Sequence, residues 1–213
     1  MRTPRMLVSL PLVALVAAGC SFLKARSDPT RYFVLTASGP ERATPPPTIT
    51  VGLERVDLPE YLIRPELVTR SGSNQLGIAE YEVWGEPIKD GFARTLRRDL
   101  EAELGASVGA APFDPAAKPD VTVEVEVQRF ERVAGEGAVL DARWTLRDNR
   151  KGTVLAHGTA HERRPLANAH DTQSSVAELS RAVGALAGEV ATAVRADDRR
   201  RQEAARAHSG RGE

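Results

Sequence analysis

Few side chains in this sequence can do chemistry, and their spacing gives them little to do together. Cys20 is the only cysteine. A lone thiol is a nucleophile, a metal ligand or a site of covalent modification, and it has no partner here for a disulfide. The histidines are His157, His161, His170 and His208. On a strand, His157 and His161 share a face about 13 Å apart, at roughly 3.3 Å per residue. One metal ion holding each ring nitrogen at about 2 Å does not reach both backbone positions. The spacing therefore predicts solvated strand histidines and no metal site. Glu124 and Glu126 stand on the polar face of a valine-rich strand. A glycosidase pair of carboxylates stays open there, but nothing selects one. The chain has no Gly-rich phosphate loop and no Gly-x-Ser-x-Gly elbow. The expectation is a protein that is not an enzyme and has no cofactor.

What surrounds Cys20 says more. The chain opens Met1-Arg-Thr-Pro-Arg5, is apolar from Met6 to Ala18, and continues Gly19-Cys20. Basic residues, a short apolar run and small residues at its end read as a secretory signal. The run is about 13 residues, against the roughly 20 that span a hydrocarbon core. A cysteine directly after Ala17-Ala18-Gly19 resembles the lipobox of bacterial lipoproteins, in which the thiol takes a diacylglycerol and becomes the mature N-terminus. Ala17 stands where the lipobox usually has Leu. The alternative is an ordinary secretory signal with a chance cysteine. The lipobox reading makes residues 1–19 a signal peptide and residues 20–29 a lipidated tether. Each buried lipid CH₂ contributes about 0.8 kcal/mol, so a diacylglycerol with a palmitate-type acyl chain anchors a domain without a transmembrane helix. Ser21 rather than Asp after the cysteine implies, by the same resemblance, the periplasmic face of the outer membrane.

Without Arg2 and Arg5 the mature chain carries about 27 basic and 29 acidic residues, a net charge near −2. That balance gives no nucleic-acid surface. With no disulfide available, stability must come from a hydrophobic core, and about 194 residues suffice for one.

The elements follow from periodicity. Arg31–Thr36 and Ile49–Val56 read as strands. Residues 38–48, with Pro45-Pro46-Pro47, read as a stiff extended linker. Residues 66–83 form a hairpin about Ser71-Gly-Ser-Asn74. Ile88, Phe92, Leu96, Leu100 and Leu104 recur every four residues, a helix stopped at Gly105. Arg94, Arg97, Arg98, Asp99, Glu101 and Glu103 lie off that stripe and read as its solvated face. Val108 starts a short strand. Residues 121–127, 138–147 and 154–162 alternate as an antiparallel meander, with a turn at Asp148–Gly152. Ser175 and Glu178 form a capping-box signature. Val176, Leu179, Val183, Leu186, Val190 and Val194 then make an amphipathic helix whose small residues Ala182, Ala185, Ala187 and Ala191 suit close packing. The expected fold is α/β (α+β): a single compact domain over residues 30–196, with a mixed or antiparallel sheet flanked by two main helices. Residues 197–213 lose the stripe and read as frayed helix or a disordered charged tail.

One stretch fits none of these elements. Residues 56–87 place Tyr61, Leu62, Arg64 and Trp84 beside Pro59, Pro65 and Pro87, in segments too irregular for central strands. Rigid turns presenting aromatic and Arg side chains suit a protein–protein contact. Equally, Trp84 and Tyr61 could plug a sheet edge or cap a helix.

At these residues the chain resembles the ABC-type transport auxiliary lipoprotein family, the PqiC-like proteins. The resemblance is carried by Leu58-Pro-Glu-Tyr-Leu-Ile-Arg-Pro-Glu-Leu-Val-Thr-Arg70, Asn74-Gln-Leu76, Trp84-Gly-Glu-Pro-Ile88 and Arg31-Tyr-Phe-Val-Leu35. It runs from Cys20 to about Val194. Ile63 stands where the family often has Asp, and Val83 and Gly85 where Arg and Ala are common. The resemblance implies a compact α/β domain and an outer-membrane-anchored accessory to an inner-membrane ABC and MCE-domain lipid-transport system that supports envelope integrity. It implies docking at the distal end of the MCE tube, with self-assembly into a homo-oligomeric ring as one arrangement. Tyr61, Leu62, Arg64, Trp84 and Glu86 are then the expected contact residues, on a backbone shaped by Pro59, Pro65 and Pro87. A stand-alone periplasmic lipid carrier or envelope assembly factor is the alternative.

Overall fold

The computed structural model describes residues 28–39, 45–168 and 171–209. The signal segment, Cys20 and His170 lie outside them. The elements run β1 (Arg31–Phe33), β2 (Val51–Asp57), a 3-10 turn (Glu60–Leu62), β3 (Glu66–Gly72), β4 (Gln75–Trp84), α1 (Ile88–Leu104), β5 (Val108–Ala110), β6 (Val121–Val133), β7 (Gly137–Asp148), β8 (Thr153–Arg164) and α2 (Thr172–Ser209).

All eight strands belong to one mixed sheet built around β6. On one side β6 pairs antiparallel with β7, and β7 with β8, which is the expected meander. On the other side β2 runs parallel to the first half of β6, and β3 meets its end at Thr69 and Arg70. β5 adds to β2 in parallel, β4 to β3 as a hairpin, and β1 to β4 in parallel. The strands and the helices at 88–104 and 172–209 match the α/β domain expected from the sequence.

Both helices cover one face of the sheet. Phe92, Leu96, Leu100 and Leu104 are fully buried, as the four-residue spacing predicts. Gly105 ends α1 in the left-handed conformation at φ 65°, which costs glycine little because it has no Cβ. Phe92 meets Phe130 edge to face at 5.1 Å. Trp144 lies over Gly158, where a Cβ would fall 2.6 Å from the indole ring. The opposite face of the meander is polar: Glu124 pairs with Arg147 and Arg55, and His161 with Asp141.

Several expectations need correction. β6 continues past Val127 to Val133, because a bulge between Val127 and Arg129 shifts the alternation and hands the inward position to Phe130. α2 starts at Thr172 rather than after Ser175. Asp171 accepts from the Gln173 N–H at 3.1 Å and from the Ser174 hydroxyl, while Ser175 sits inside the helix and donates to the Asp171 carbonyl. Asp99 is not on a solvated face. It is fully buried, and its Oδ1 accepts the Ser38 and Gly39 N–H groups at 2.6 and 2.7 Å.

The largest correction concerns the charged tail. α2 does not end near residue 196 but runs unbroken to Ser209. Its charges are bonded, not merely solvated. Asp198 accepts from the Thr48 N–H and hydroxyl, Asp197 binds Arg200 and Arg201, and Arg201 reaches Asp148 in the β7–β8 turn at 2.8 Å. Residues 203–209 then continue as exposed helix. Described residues after β1 touch α2 at three places along it. Thr36 bonds Ser180, Pro45 accepts from Arg195, and Thr48 meets Asp198.

Candidate partner-docking site

The irregular stretch folds as two short turns side by side. Pro59 opens the 3-10 turn, and its carbonyl accepts the Leu62 N–H at 2.9 Å. The Pro65 carbonyl then accepts the Trp84 N–H at 2.7 Å, which ties the end of β4 to the start of β3. The Gly85 N–H bonds the Phe33 carbonyl at 2.7 Å, and Pro87 leads directly into α1.

This arrangement separates the predicted contact residues into two groups. Tyr61 and Leu62 turn inward. Leu62 is core at 4% exposure, so its side chain is not available to a partner. Tyr61 is half-buried and donates its hydroxyl to Glu131 Oε2 at 2.6 Å. The Arg70 guanidinium lies 5.7 Å from the Tyr61 ring centre and binds Glu131 Oε1. Arg129 approaches the same oxygen at 3.5 Å. Burial and the Glu131 carboxylate push the Tyr61 phenol up to about 12. Glu131, with a fully buried side chain, is the hub of this cluster. Sequence reasoning missed it because the bulge hides the strand beyond Val127, and Phe130-Glu-Arg-Val133 shows no period of two.

Arg64, Pro65, Trp84, Glu86 and Pro87 stay together. They line one shallow groove of about 410 Å³ with Ile63, Gly85, Ile88 and Lys89. Its floor is largely apolar: Ile63 is 45% exposed, and Trp84 is partly buried against the core. The polar groups at its rim are engaged within the chain. Arg64 pairs with Glu66 at 3.0 Å. Glu86 pairs with Arg94, which also donates to the Leu35 carbonyl at 2.9 Å. Glu86 therefore braces the start of α1. Ile63 was legible only as a departure from the family pattern; of the adjacent apolar pair Leu62-Ile63, the first goes in and the second out.

Elsewhere the described carboxylates are held mainly by arginines. Among the described residues no group of three or more His, Cys, Asp or Glu is placed to hold a metal ion. His161 Nδ1 lies 2.8 Å from Asp141 Oδ1, in contact with solvent. Burial pushes Asp141 up, but its bonds to Arg163 and His161 bring it below the usual carboxylate range. Glu124 and Glu126 are both paired with arginines on the open face. No described helix is long and apolar enough to cross a membrane.

A mixed sheet with two helices on one face, a polar opposite face and an apolar groove between proline turns defines an α/β domain. The chain belongs to the family described as the ABC-type transport auxiliary lipoprotein component, which it matches over residues 33–191. Solved structures share the fold. A Xanthomonas campestris protein is 18% identical with a TM-score of 0.61, over 79% of this chain and 99% of its own. A protein described as uncharacterized is 21% identical with a TM-score of 0.63, over 76% of this chain and 97% of its own. No curated protein matches the chain.

Proposed function

We propose that this protein is a non-enzymatic docking subunit of an MCE-type ABC lipid-transport system, anchored by lipid on Cys20 to the periplasmic face of the outer membrane. The observation that carries the reading is the groove. The two segments that most resemble the family, residues 58–70 and 84–88, form one apolar surface around Ile63, Pro65, Trp84 and Pro87. Rigid proline turns hold that surface at little entropic cost on binding, and an aromatic anchor at its centre is what a partner interface uses.

A carrier that swallows its lipid needs a pocket of about 300–1,000 Å³ enclosing most of the ligand. The clefts of that size, about 340, 410 and 520 Å³, lie open at the surface, and the space beneath Trp84, between β3, β6 and the start of α2, offers about 10 Å³, roughly room for one water. The packing therefore favours docking over carriage. In this reading several copies gather around one conduit, and lipid on Cys20 is the only attached group.

The test is affinity purification of the full acylated chain from solubilised envelopes, with mass spectrometry of all bound protein and lipid. Recovery of an MCE-domain protein at fixed ratio, lost on Ile63→Ser and Trp84→Ala with folding intact by circular dichroism, is the expected result. Stoichiometric lipid with no MCE-domain protein would replace docking with carriage. Partner recovery untouched by both substitutions would move the contact away from the groove.

A further inference from the structure

A second apolar surface lies beside the groove, on the outer edge of the sheet. Tyr32 is 69% exposed, Val34 52%, Ile78 51%, Tyr81 47% and Leu76 39%. They come from β4, from β1 and, for Val34, from the residue directly after β1. β1 covers β4 only from Glu82 to Trp84. Among the described residues, no strand pairs with the outer edge of β4 from Gln75 to Tyr81. Protected sheet edges usually carry lysines, prolines or short strands. This one carries tyrosines and aliphatic side chains, and exposed apolar clusters mark contact sites.

The tether indicates what covers it. The chain enters the domain here: Asp28 precedes β1 by three residues and lies close enough to contribute to the raised phenol of Tyr81, whose main cause is the bonded Glu80 carboxylate. From Cys20 to Asp28 is eight residue steps, at most about 29 Å when fully extended. A lipid on Cys20 therefore keeps Tyr32 and Tyr81 within reach of the bilayer whatever path the tether takes. Arg31 is paired with Glu82, and the exposed carboxylates beside Tyr81, Asp28 and Glu80, confine the contact to the wet headgroup layer. Tyrosine is the residue type enriched where hydrocarbon meets headgroups, since its ring is apolar and its hydroxyl stays wet. The unpaired backbone of residues 75–81 limits the depth, because its N–H and C=O groups need water or headgroups as partners.

We infer that the β1–β4 edge, with Tyr32, Ile78 and Tyr81 at its centre, is a membrane-contact surface that rests in the headgroup layer of the leaflet holding the Cys20 anchor. This rests on the lipid-anchor part of the proposed function. The occupant is the bilayer itself, held mainly by apolar burial. Docked this way, the domain has a fixed orientation rather than swinging on its tether. The groove at Ile63 and Trp84 begins beyond β1, where the Gly85 N–H bonds the Phe33 carbonyl.

The test uses the full acylated chain in vesicles of phosphatidylethanolamine and phosphatidylglycerol. Acylation blocks Cys20, so a nitroxide reacts only at an introduced cysteine: Tyr32→Cys, Ile78→Cys, Tyr81→Cys, or Val154→Cys on β8 as reference. Severalfold weaker collision with a water-soluble nickel chelate at 32, 78 and 81 than at 154, unchanged on raising salt, is expected. Equal nickel access at all four positions, with acylated Cys20 confirmed by mass spectrometry, would overturn the surface and leave the anchor standing. Nitroxide–nitroxide broadening at 32 or 81 would overturn it in favour of a second copy on this edge. An unmodified Cys20 would remove anchor and surface together.

Discussion

Replacing Glu131 with glutamine tests whether the cluster under the 3-10 turn holds the candidate site in place. The substitution keeps the side chain's shape and removes its charge. Glu131 is fully buried and serves Tyr61, Arg70 and Arg129. Arg70, 17% exposed, would lose its carboxylate partner and keep the Ser73 carbonyl and the Tyr61 ring. Removing one member of a buried pair costs about 3–5 kcal/mol in full. A glutamine that still accepts from Tyr61 and leaves Arg70 partly wet brings this to about 3 kcal/mol. For a domain of this size that is a fall in Tm of about 6–12 °C. Tyr61 gives a second readout. Its phenol, at about 12 in the wild type, is held up first by burial and then by Glu131. In Glu131→Gln it should titrate closer to the ordinary value of about 10. The sign is fixed: a tyrosine whose folded value is raised stabilises the fold fully below about pH 10 and loses that contribution as pH rises toward 12. Discounted for partial exposure, it contributes about 1–2 kcal/mol. The assays are urea unfolding followed by circular dichroism and alkaline titration of phenolate absorbance. The double variant Arg70→Gln/Glu131→Gln should cost clearly less than the two single losses added. A loss under about 0.5 kcal/mol in Glu131→Gln, of the size seen at unimportant surface sites, together with an unchanged slowest phenol, would refute the reasoning.

Leu62→Ala should cost about 2–5 kcal/mol by urea unfolding, while Ile63→Ala next to it, whose side chain is exposed, stays within about 0.5 kcal/mol. Asp148→Ala removes both the turn cap and the partner of Arg201; faster amide exchange should appear in residues 150–152 and in α2 beyond Asp197, with little change before Val190. Stability should depend on pH in opposite senses at two aspartates. The Lys151 and Arg150 N–H groups and Arg201 hold Asp148 low, so its contribution is present above about pH 4 and lost in more acid solution. Burial pushes Asp99 up against its Ser38 and Gly39 bonds, so its contribution is present below about pH 4 and lost as pH rises through its folded value. Asp148→Asn should flatten the first limb and Asp99→Asn the second, both measured by urea unfolding across pH.

Most of the sheet and both helices were legible because apolar period and turn chemistry agree in those segments. The valines of β6, the four-residue stripe of α1 and the Asp148–Gly152 turn each had a single reading. What escaped has a common cause: side chains whose role is set by a distant part of the chain. Asp99 reads as surface charge until Ser38 and Gly39 lie against it. Glu131 falls in a stretch with no assigned element until a bulge returns Phe130 to the core. Asp197 and Asp198 read as tail until Arg201, Asp148 and Thr48 meet them. In the candidate site, the prolines and Trp84 were legible by type, but which neighbour faces out at Leu62-Ile63 depends on how the 3-10 turn packs on β6.

The length of α2 has a geometric consequence. At about 1.5 Å per residue its 38 residues cover about 57 Å. Its first turn lies by Arg31, where the tether enters, and its last turns overhang past the ties at Asp198 and Arg201. Residues 28–31 and 203–209 thus lie toward opposite ends of one continuous helix, which is held along its length through Ser180, Arg195 and Asp198. In the proposed lipid-anchored arrangement such a rod would serve as a spacer gauge, and a partner at the overhang would stand at a set distance from the tethered pole. Deleting four residues within the exposed segment 203–209 should shorten that distance by about 6 Å without touching the core.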